Sequence, residues 1–382
     1  MRTHVIAWLA VATIFVANTA CQAGPESPHV KNLSRKVIAS EKDRWFGRAA
    51  IGTAADGTWV LAYREGGIHY VNDGVLHVKF SDDQGDTWSK EDQHLDGSAI
   101  EGFPTYPPGA SPEDPTGPGE PWLYTTPDGT LVLHSWKVKY SDPSLNGGTW
   151  QRTSSDGGRS WSKWSQVDFR GVESDKNVFA TDDHFIVDGT LYAGARQWAK
   201  GRWKNMLIRS LDSGKSWEKV SDISSYKHNT TEVGLEYLGE ETILAVMNTK
   251  NREKVYRTCS RDMGRSWEPL EEMQDQTRIW DRCRIWTAAH IRREPKWWTD
   301  KLILGVGDRA IIPGQSTPRR NTLWISEDRG KTWSGPQHLD GKTKDAGYGD
   351  LMYASDRNRY VFVSYHGTMH EAELVQYEFI LE

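Results

Sequence analysis

This 382-residue chain is short of several things, and each shortage narrows what it can be. It has only 3 cysteines, too few for a disulfide framework, and no Cys/His cluster with metal-ligand spacing. Basic residues do not outnumber acidic ones. The net charge is −5 and no stretch forms a basic stripe, so nucleic acid is not an expected partner. Long apolar runs are missing except for Val5–Ala17, which follows Arg2 and His4 and is too short for a comfortable membrane span. That segment reads as an export signal, residues 1–23, with cleavage after Ala23. Asn18-Thr19-Ala20-Cys21 is close to a lipoprotein box but lacks Leu three residues before Cys. Membrane attachment would therefore come only through a lipidated Cys21. The expected destination is the periplasm, the cell surface or the medium. Cys259 and Cys283 then remain, expected as buried thiols rather than a bridge.

What the chain does have is one pattern, Ser-x-Asp-x-Gly-x-x-Trp, five times over. The copies are Ser81-Asp83-Gly85-Trp88, Ser154-Asp156-Gly158-Trp161, Ser210-Asp212-Gly214-Trp217, Ser260-Asp262-Gly264-Trp267 and Ser326-Asp328-Gly330-Trp333. Their starts lie 73, 56, 50 and 66 residues apart. Ser and Asp side chains bond nearby backbone groups in a turn, and Gly supplies a positive φ. Trp covers the hairpin with apolar surface. Each copy follows an alternating apolar stretch such as Val75-Leu76-His77-Val78-Lys79-Phe80, which gives strand, turn, strand. A supersecondary unit repeated in this way predicts a propeller or a repeat array.

The pattern is the Asp box, and the chain after its leader resembles the sialidase-like β-propeller proteins. The resemblance implies an all-β fold, a six-bladed β-propeller of the sialidase type over residues 24–382. In that family the boxes are structural and sit away from the active centre. Five blades carry a box. The sixth is expected from the C-terminal strands around Tyr360–Leu381, joined by a strand near Arg44–Ile51. The Pro/Gly-rich run Pro104–Pro121 reads as a long loop that could shape a binding mouth. Five of the 19 tryptophans belong to the boxes; the others could stack on sugar rings or fill the core.

Candidate chemistry lies outside the boxes. Phe46-Gly47-Arg48-Ala49-Ala50-Ile51 resembles the sialidase opening, with Ala49-Ala50 where that family has Ile-Pro. The resemblance makes Arg48 the first of the arginines that grip a sialic acid carboxylate, a task suited to a guanidinium fork. The stretch Arg64-Glu65-Gly66-Gly67-Ile68-His69-Tyr70-Val71-Asn72-Asp73 is dense in ionisable groups. Sialidases keep their acid/base Asp in this loop, so either His69 or Asp73 takes that place, and His also titrates near neutrality. Arg64 and Glu65 are candidate substrate contacts.

Glu232, in Thr231-Glu232-Val233-Gly234, matches the catalytic Glu of the family. The arginine expected at the end of the next strand is replaced by Asn248-Thr249-Lys250. Alternation along Trp280-Asp281-Arg282-Cys283-Arg284 puts Arg282 and Arg284 on one strand face, where they could supply that charge from another blade. In Asp345-Ala346-Gly347-Tyr348-Gly349-Asp350, glycines on both sides of Tyr348 suggest a tight loop presenting its ring. The resemblance makes Tyr348 the nucleophile, with Asp345 or Asp350 as alternative acids and Tyr365-His366 as weaker candidates.

These residues point to an exported exo-acting glycoside hydrolase resembling sialidases, acting on a terminal, acidic sugar of a glycan. No metal or other cofactor is expected. The alternatives are a polysaccharide lyase using His69 and Tyr348 on a uronate polymer, and a propeller that binds carbohydrate without turning it over.

Overall fold

The structure is a computed structural model that describes residues 30–67, 69, 75–90, 93–95, 120–136, 148–174, 177–180, 183–251, 254–273, 278–287, 301–310 and 318–381. Residues 1–23, expected as an export signal and including Cys21, most of the Pro104–Pro121 run, and Asp73 lie outside the described residues. Cys259 is a free, partly buried thiol.

The described chain is strand and turn throughout. After β1 (Val30–Ala39) comes a first unit of β2 (Trp45–Thr53), β3 (Trp59–Gly66), β4 (Val75–Ser81) and β5 (Gln93–Leu95), each antiparallel to the one before. The second unit repeats this with β6 (Trp122–Thr125), β7 (Leu131–Trp136), β8 (Thr149–Ser154) and β9 (Ser165–Gln166). The third holds β10 (Phe169–Arg170), β11 (Val178–Phe179), β12 (His184–Val187), β13 (Thr190–Ala199), β14 (Arg202–Ser210) and β15 (Trp217–Asp222). There β11 and β12 share the outer side of β13, and β10 closes the other edge beside β15. The fourth is β16 (Thr230–Gly239), β17 (Thr242–Thr249), β18 (Val255–Ser260) and β19 (Glu271–Glu272). The fifth is β20 (Arg278–Thr287), β21 (Leu302–Ala310), β22 (Arg320–Ser326) and β23 (Ser334–His338). The last is β24 (Asp345–Ala354), β25 (Arg359–Gly367) and β26 (Ala372–Leu381).

The antiparallel partner that the N-terminal region lends to this last unit is β1, running from Val30 opposite Leu381 to Ala39 opposite Leu374. The Arg44–Ile51 stretch expected there instead falls in β2. It meets β26 at one parallel pair only, Trp45 with Ala372. Its apolar residues fill the cores on either side of the first unit: Phe46, Ala49 and Ile51 pack toward the last unit and Ala50 toward the second.

The cores lie between successive units, and strand alternation builds them. On β3, Val60 and Ala62 face one side and pack with Leu123, Leu131 and Leu133 of the second unit. Leu61 and Tyr63 face the other and pack with Val361, Val363 and Leu374 of the last unit. Equivalent cores join second to third, third to fourth, fourth to fifth and fifth to last. The series of interfaces therefore returns to its starting unit.

The boxes are one hydrogen-bonded turn repeated. Ser81 Oγ donates to Asp83 Oδ1 (2.8 Å) and accepts from Gly85 N (2.7 Å), while Thr87 N donates to Asp83 Oδ1 (2.8 Å). The hydroxyl residue at that seventh position recurs as Ser160, Ser216, Ser266 and Thr332, each bonded to its box Asp. The box glycines have φ between 79° and 86° and lie against the preceding unit. A Cβ on Gly158 would lie 3.1 Å from Val60, one on Gly214 2.8 Å from Val132, and one on Gly264 2.1 Å from Leu207.

Candidate active site

The strands that begin the first, fourth and last units each carry a register break, and at each break one non-glycine residue adopts the left-handed conformation. These are Arg48 (φ 63°), Glu232 (φ 53°) and Tyr348 (φ 51°). Such backbone costs on the order of 1–2 kcal/mol per residue and is retained at sites that need a side chain re-aimed. The amides near the breaks are met by buried carboxylates. Asp350 accepts from Ile51 N (2.8 Å) and Leu351 N (2.9 Å), and Asp183 accepts from Leu235 N (3.3 Å). Asp350 thus serves the backbone. The segment Asp345–Asp350, expected as a loop, is a bulged strand in which Gly347 takes a φ of 120° and Gly349 leaves room for the Phe362 ring, 2.2 Å from where its Cβ would lie.

The three re-aimed side chains converge. The Tyr348 hydroxyl donates to Glu232 Oε1, and the Arg48 guanidinium lies over the Tyr348 ring at 3.6 Å from its centre. Arg48 also bonds Glu120 Oε1 through one nitrogen and His69 Nε2 (2.6 Å) through the other. His69 Nδ1 is 2.5 Å from Asp345 Oδ2. Asp345 Oδ1 accepts from Arg319 (2.6 Å) and from the Tyr365 hydroxyl (3.2 Å). All these residues are buried.

The partners fix the histidine's tautomer. A guanidinium can only donate and an ionised carboxylate can only accept. His69 therefore carries its proton on Nδ1, toward Asp345, and offers the Nε2 lone pair to Arg48. Its ring is stacked on Trp45 (4.5 Å, 15°), and its backbone N donates to Met369 O (2.8 Å). Asp345, read from the sequence as a possible acid, acts here as the acceptor that orients His69.

Arg64 braces this loop: it donates to His69 O (3.1 Å) and lies 5.6 Å from the Trp45 ring. Glu65 is not brought to the cluster. It is held by Arg44 (2.7 Å) and His77 (2.8 Å), and the bond from His77, then those from Arg44, lowers its carboxyl to about 2. His366 lies near Gly341 O and Asp340, away from Tyr348. Arg282 and Arg284 lie on β20, which packs against both β16 and β24. The β20 register breaks between Asp281 and Arg284, so simple alternation no longer relates the two arginines.

The sequence reading missed three charged residues. Arg196, on β13, donates to Thr231 Oγ1 (2.8 Å) and stands 4.0 Å from both Glu120 and Glu232. Glu120 and Arg319 complete the set. A signal was present for Arg196: the small residues Ala193-Gly194-Ala195 precede it on a buried strand, as Gly47 precedes Arg48. Arg48, Arg196 and Arg319 thus alternate with Glu120, Glu232 and Asp345, so this part of the site has no excess of either charge. Among the described residues no group of three or more His, Cys, Asp or Glu side chains is placed to hold a metal ion.

A family model described as a BNR repeat-like domain matches residues 109–363. No functionally curated protein matches the chain. Among solved structures, a protein of unknown function from Dyadobacter fermentans shares 16% identity at a TM-score of 0.69, covering 92% of this chain and all of that one. Trypanosoma rangeli sialidase shares 14% at a TM-score of 0.64, over 91% of this chain and 60% of its own. Penicillium chrysogenum α-L-arabinanase shares 16% at 0.59, over 93% and 99%. At these identities the likeness is one of fold.

Proposed function

The chain belongs to the BNR repeat-like family, and from that premise we propose an exported, exo-acting glycoside hydrolase on a six-bladed β-propeller, removing a terminal acidic sugar from glycans. The observation that carries this reading is the Tyr348–Glu232 hydrogen bond, made by two residues that each adopt strained backbone to meet. The ring of inter-unit cores supports the blade count.

In this mechanism the Tyr348 oxygen attacks the anomeric carbon as its proton passes to Glu232. The bond to the leaving oxygen breaks, and that oxygen takes a proton from the acid, the place that the family resemblance leaves to His69 or Asp73. Water then displaces the tyrosyl oxygen, giving up a proton to the deprotonated acid, while the tyrosyl oxygen recovers its proton from Glu232. A neutral phenol suits attack beside an anionic sugar, because a carboxylate nucleophile would be repelled. Arg48 is already engaged by Glu120 and His69, so the anionic group falls to the β20 arginines, Arg282 and Arg284.

The test is incubation of the purified protein with sialylated glycoprotein glycans and uronate polymers, with products read by mass spectrometry and Glu232→Gln run beside it. Free terminal sugar from the wild type alone is the expected result. Equal release by the variant would sink the assignment.

His69 favours a second reading. Its Nε2 is a proton acceptor, and its ring centre lies 6.4 Å from that of Tyr348. On a uronate polymer, Nε2 would take the proton next to the carboxylate as a carbon–carbon double bond forms. Tyr348 would protonate the departing oxygen. Ultraviolet-absorbing unsaturated products would identify this lyase chemistry.

A further inference from the structure

Two polar atoms that face each other across the site lack hydrogen-bond partners among the described residues. They are Glu120 Oε2 and Arg196 Nε, both buried. Their residues are only 5% and 7% exposed. Buried polar groups in native proteins are nearly always bonded, so a pair of orphans in one place points to a ligand that supplies both bonds.

The surroundings fix these atoms. Arg196 is tied to Thr231 Oγ1 at 2.8 Å and lies over the rings of Trp136 and Trp203, at 5.7 and 5.5 Å. Glu120 is tied through its other oxygen to Arg48. Arg196 reaches Glu120 Oε2 only as an ion pair at 4.0 Å, too far for a hydrogen bond. The missing group must donate to a carboxylate oxygen and accept from a guanidinium N–H. An ammonium cannot accept, and a carboxylate would be repelled by Glu120 and Glu232. A neutral O–H oxygen, of a sugar hydroxyl or of a water that such a hydroxyl displaces, does both.

We propose that Glu120 and Arg196 form a recognition site for a hydroxyl of the substrate sugar. That its ligand is a sugar rests on the glycan-processing reading above. Arg196 also stands 4.0 Å from Glu232, so the hydroxyl read here belongs to the ring that Tyr348 attacks. The pair sets which sugar fits, while the charge of the sugar is handled elsewhere.

The test is binding, independent of turnover. The full chain is titrated by saturation-transfer NMR with N-acetylneuraminic acid, glucuronic acid, galactose and L-arabinose, then with monodeoxy forms of any sugar that binds. Glu120→Gln removes the charged acceptor. Arg196→Lys keeps the charge beside Glu232 but removes Nε. Each variant is expected to weaken binding about tenfold or more, because it leaves the other partner unmet. The double variant should lose little beyond the worse single one, since both act on one hydroxyl. One monodeoxy sugar should bind the wild type as poorly as the parent sugar binds the variants. That comparison uses only wild-type protein and stands even where a variant fails to fold. Unchanged affinity in both variants, losses that simply add, equal binding of every deoxy form, or no binding of any sugar would overturn the proposal. Hydroxyl-dependent binding without turnover would overturn the hydrolase reading alone. Full turnover in Glu120→Gln would overturn this one alone.

Discussion

Gly264→Ala separates two reasons for a box glycine. At φ 79° any L-residue incurs a backbone cost, on the order of 1–2 kcal/mol. A methyl there would also lie 2.1 Å from Leu207 Cδ2, on a side chain with no exposure. Leu207 belongs to the core between the third and fourth units, so the collision must be passed on to packed neighbours. Overpacking of that kind adds about 1–3 kcal/mol. Gly57 is the control: its φ is 94°, but a Cβ there meets nothing within 4 Å. The expected losses are about 2–5 kcal/mol for Gly264→Ala and about 1–2 for Gly57→Ala. Guanidinium unfolding followed by tryptophan fluorescence reads both. A further arm pairs Gly264→Ala with Leu207→Ala, which alone costs about 2–5 kcal/mol. If contact is the cause, the double variant should lose less than the sum. Equal losses at Gly264 and Gly57, or strict additivity with Leu207→Ala, would refute the idea that the boxes clamp one unit onto the next.

Other expectations concern the site and pH. Tyr348→Phe should lower kcat at least a hundredfold with little change in KM, read by steady-state kinetics on whichever glycan is cleaved. Asp345→Asn should destabilise by about 3–5 kcal/mol, because it leaves the buried Arg319 without its counter-charge, whereas Tyr365→Phe should cost only about 1; thermal melts decide. His134 is fully buried, and burial lowers it to about 4. The unfolded chain then binds the extra proton, so stability present above about 6.5 is lost as pH falls toward 4, by about 3 kcal/mol; a His134→Gln variant should show a flatter profile over that window. Glu65, lowered to about 2 chiefly by His77, stabilises above the ordinary carboxylate value and loses that contribution as pH falls toward 2. After allowance for solvent screening this is about 1 kcal/mol, measurable as the flattened acid limb of Glu65→Gln.

The fold was legible because its signal is local. Ser81, Asp83 and Gly85 make their bonds within five residues, so spacing alone exposes the turn, and five copies expose the repeat. The hydroxyl at Thr87 was legible too, but it alternates between Ser and Thr and was passed over. Arg48, Glu232 and Tyr348 were found through small neighbours and family resemblance, and the structure brings all three together. Glu120 and Arg196 were missed because their importance comes from partners 72 and 35 residues away, at Arg48 and Thr231. Glu65 was misplaced because one step along β3 reverses the face: Arg64 braces His69 while Glu65 turns to His77. The bulges at Arg48, Glu232 and Tyr348 break the alternation on which any strand reading depends.

The ring of interfaces also imposes an order on the chain's making. Arg48 and His69 come from the first unit, while Asp345, Tyr348 and Tyr365 come from the last, and their contacts span almost the whole sequence. During synthesis the first unit must wait, with one apolar face uncovered against Val361 and Leu374, until β25 and β26 leave the ribosome. A stalled or truncated chain therefore keeps a sticky flank and an unassembled pocket together. The same closure that brings Arg48 and His69 to Asp345 and Tyr348 covers the last apolar flank, so an incomplete copy lacks both at once.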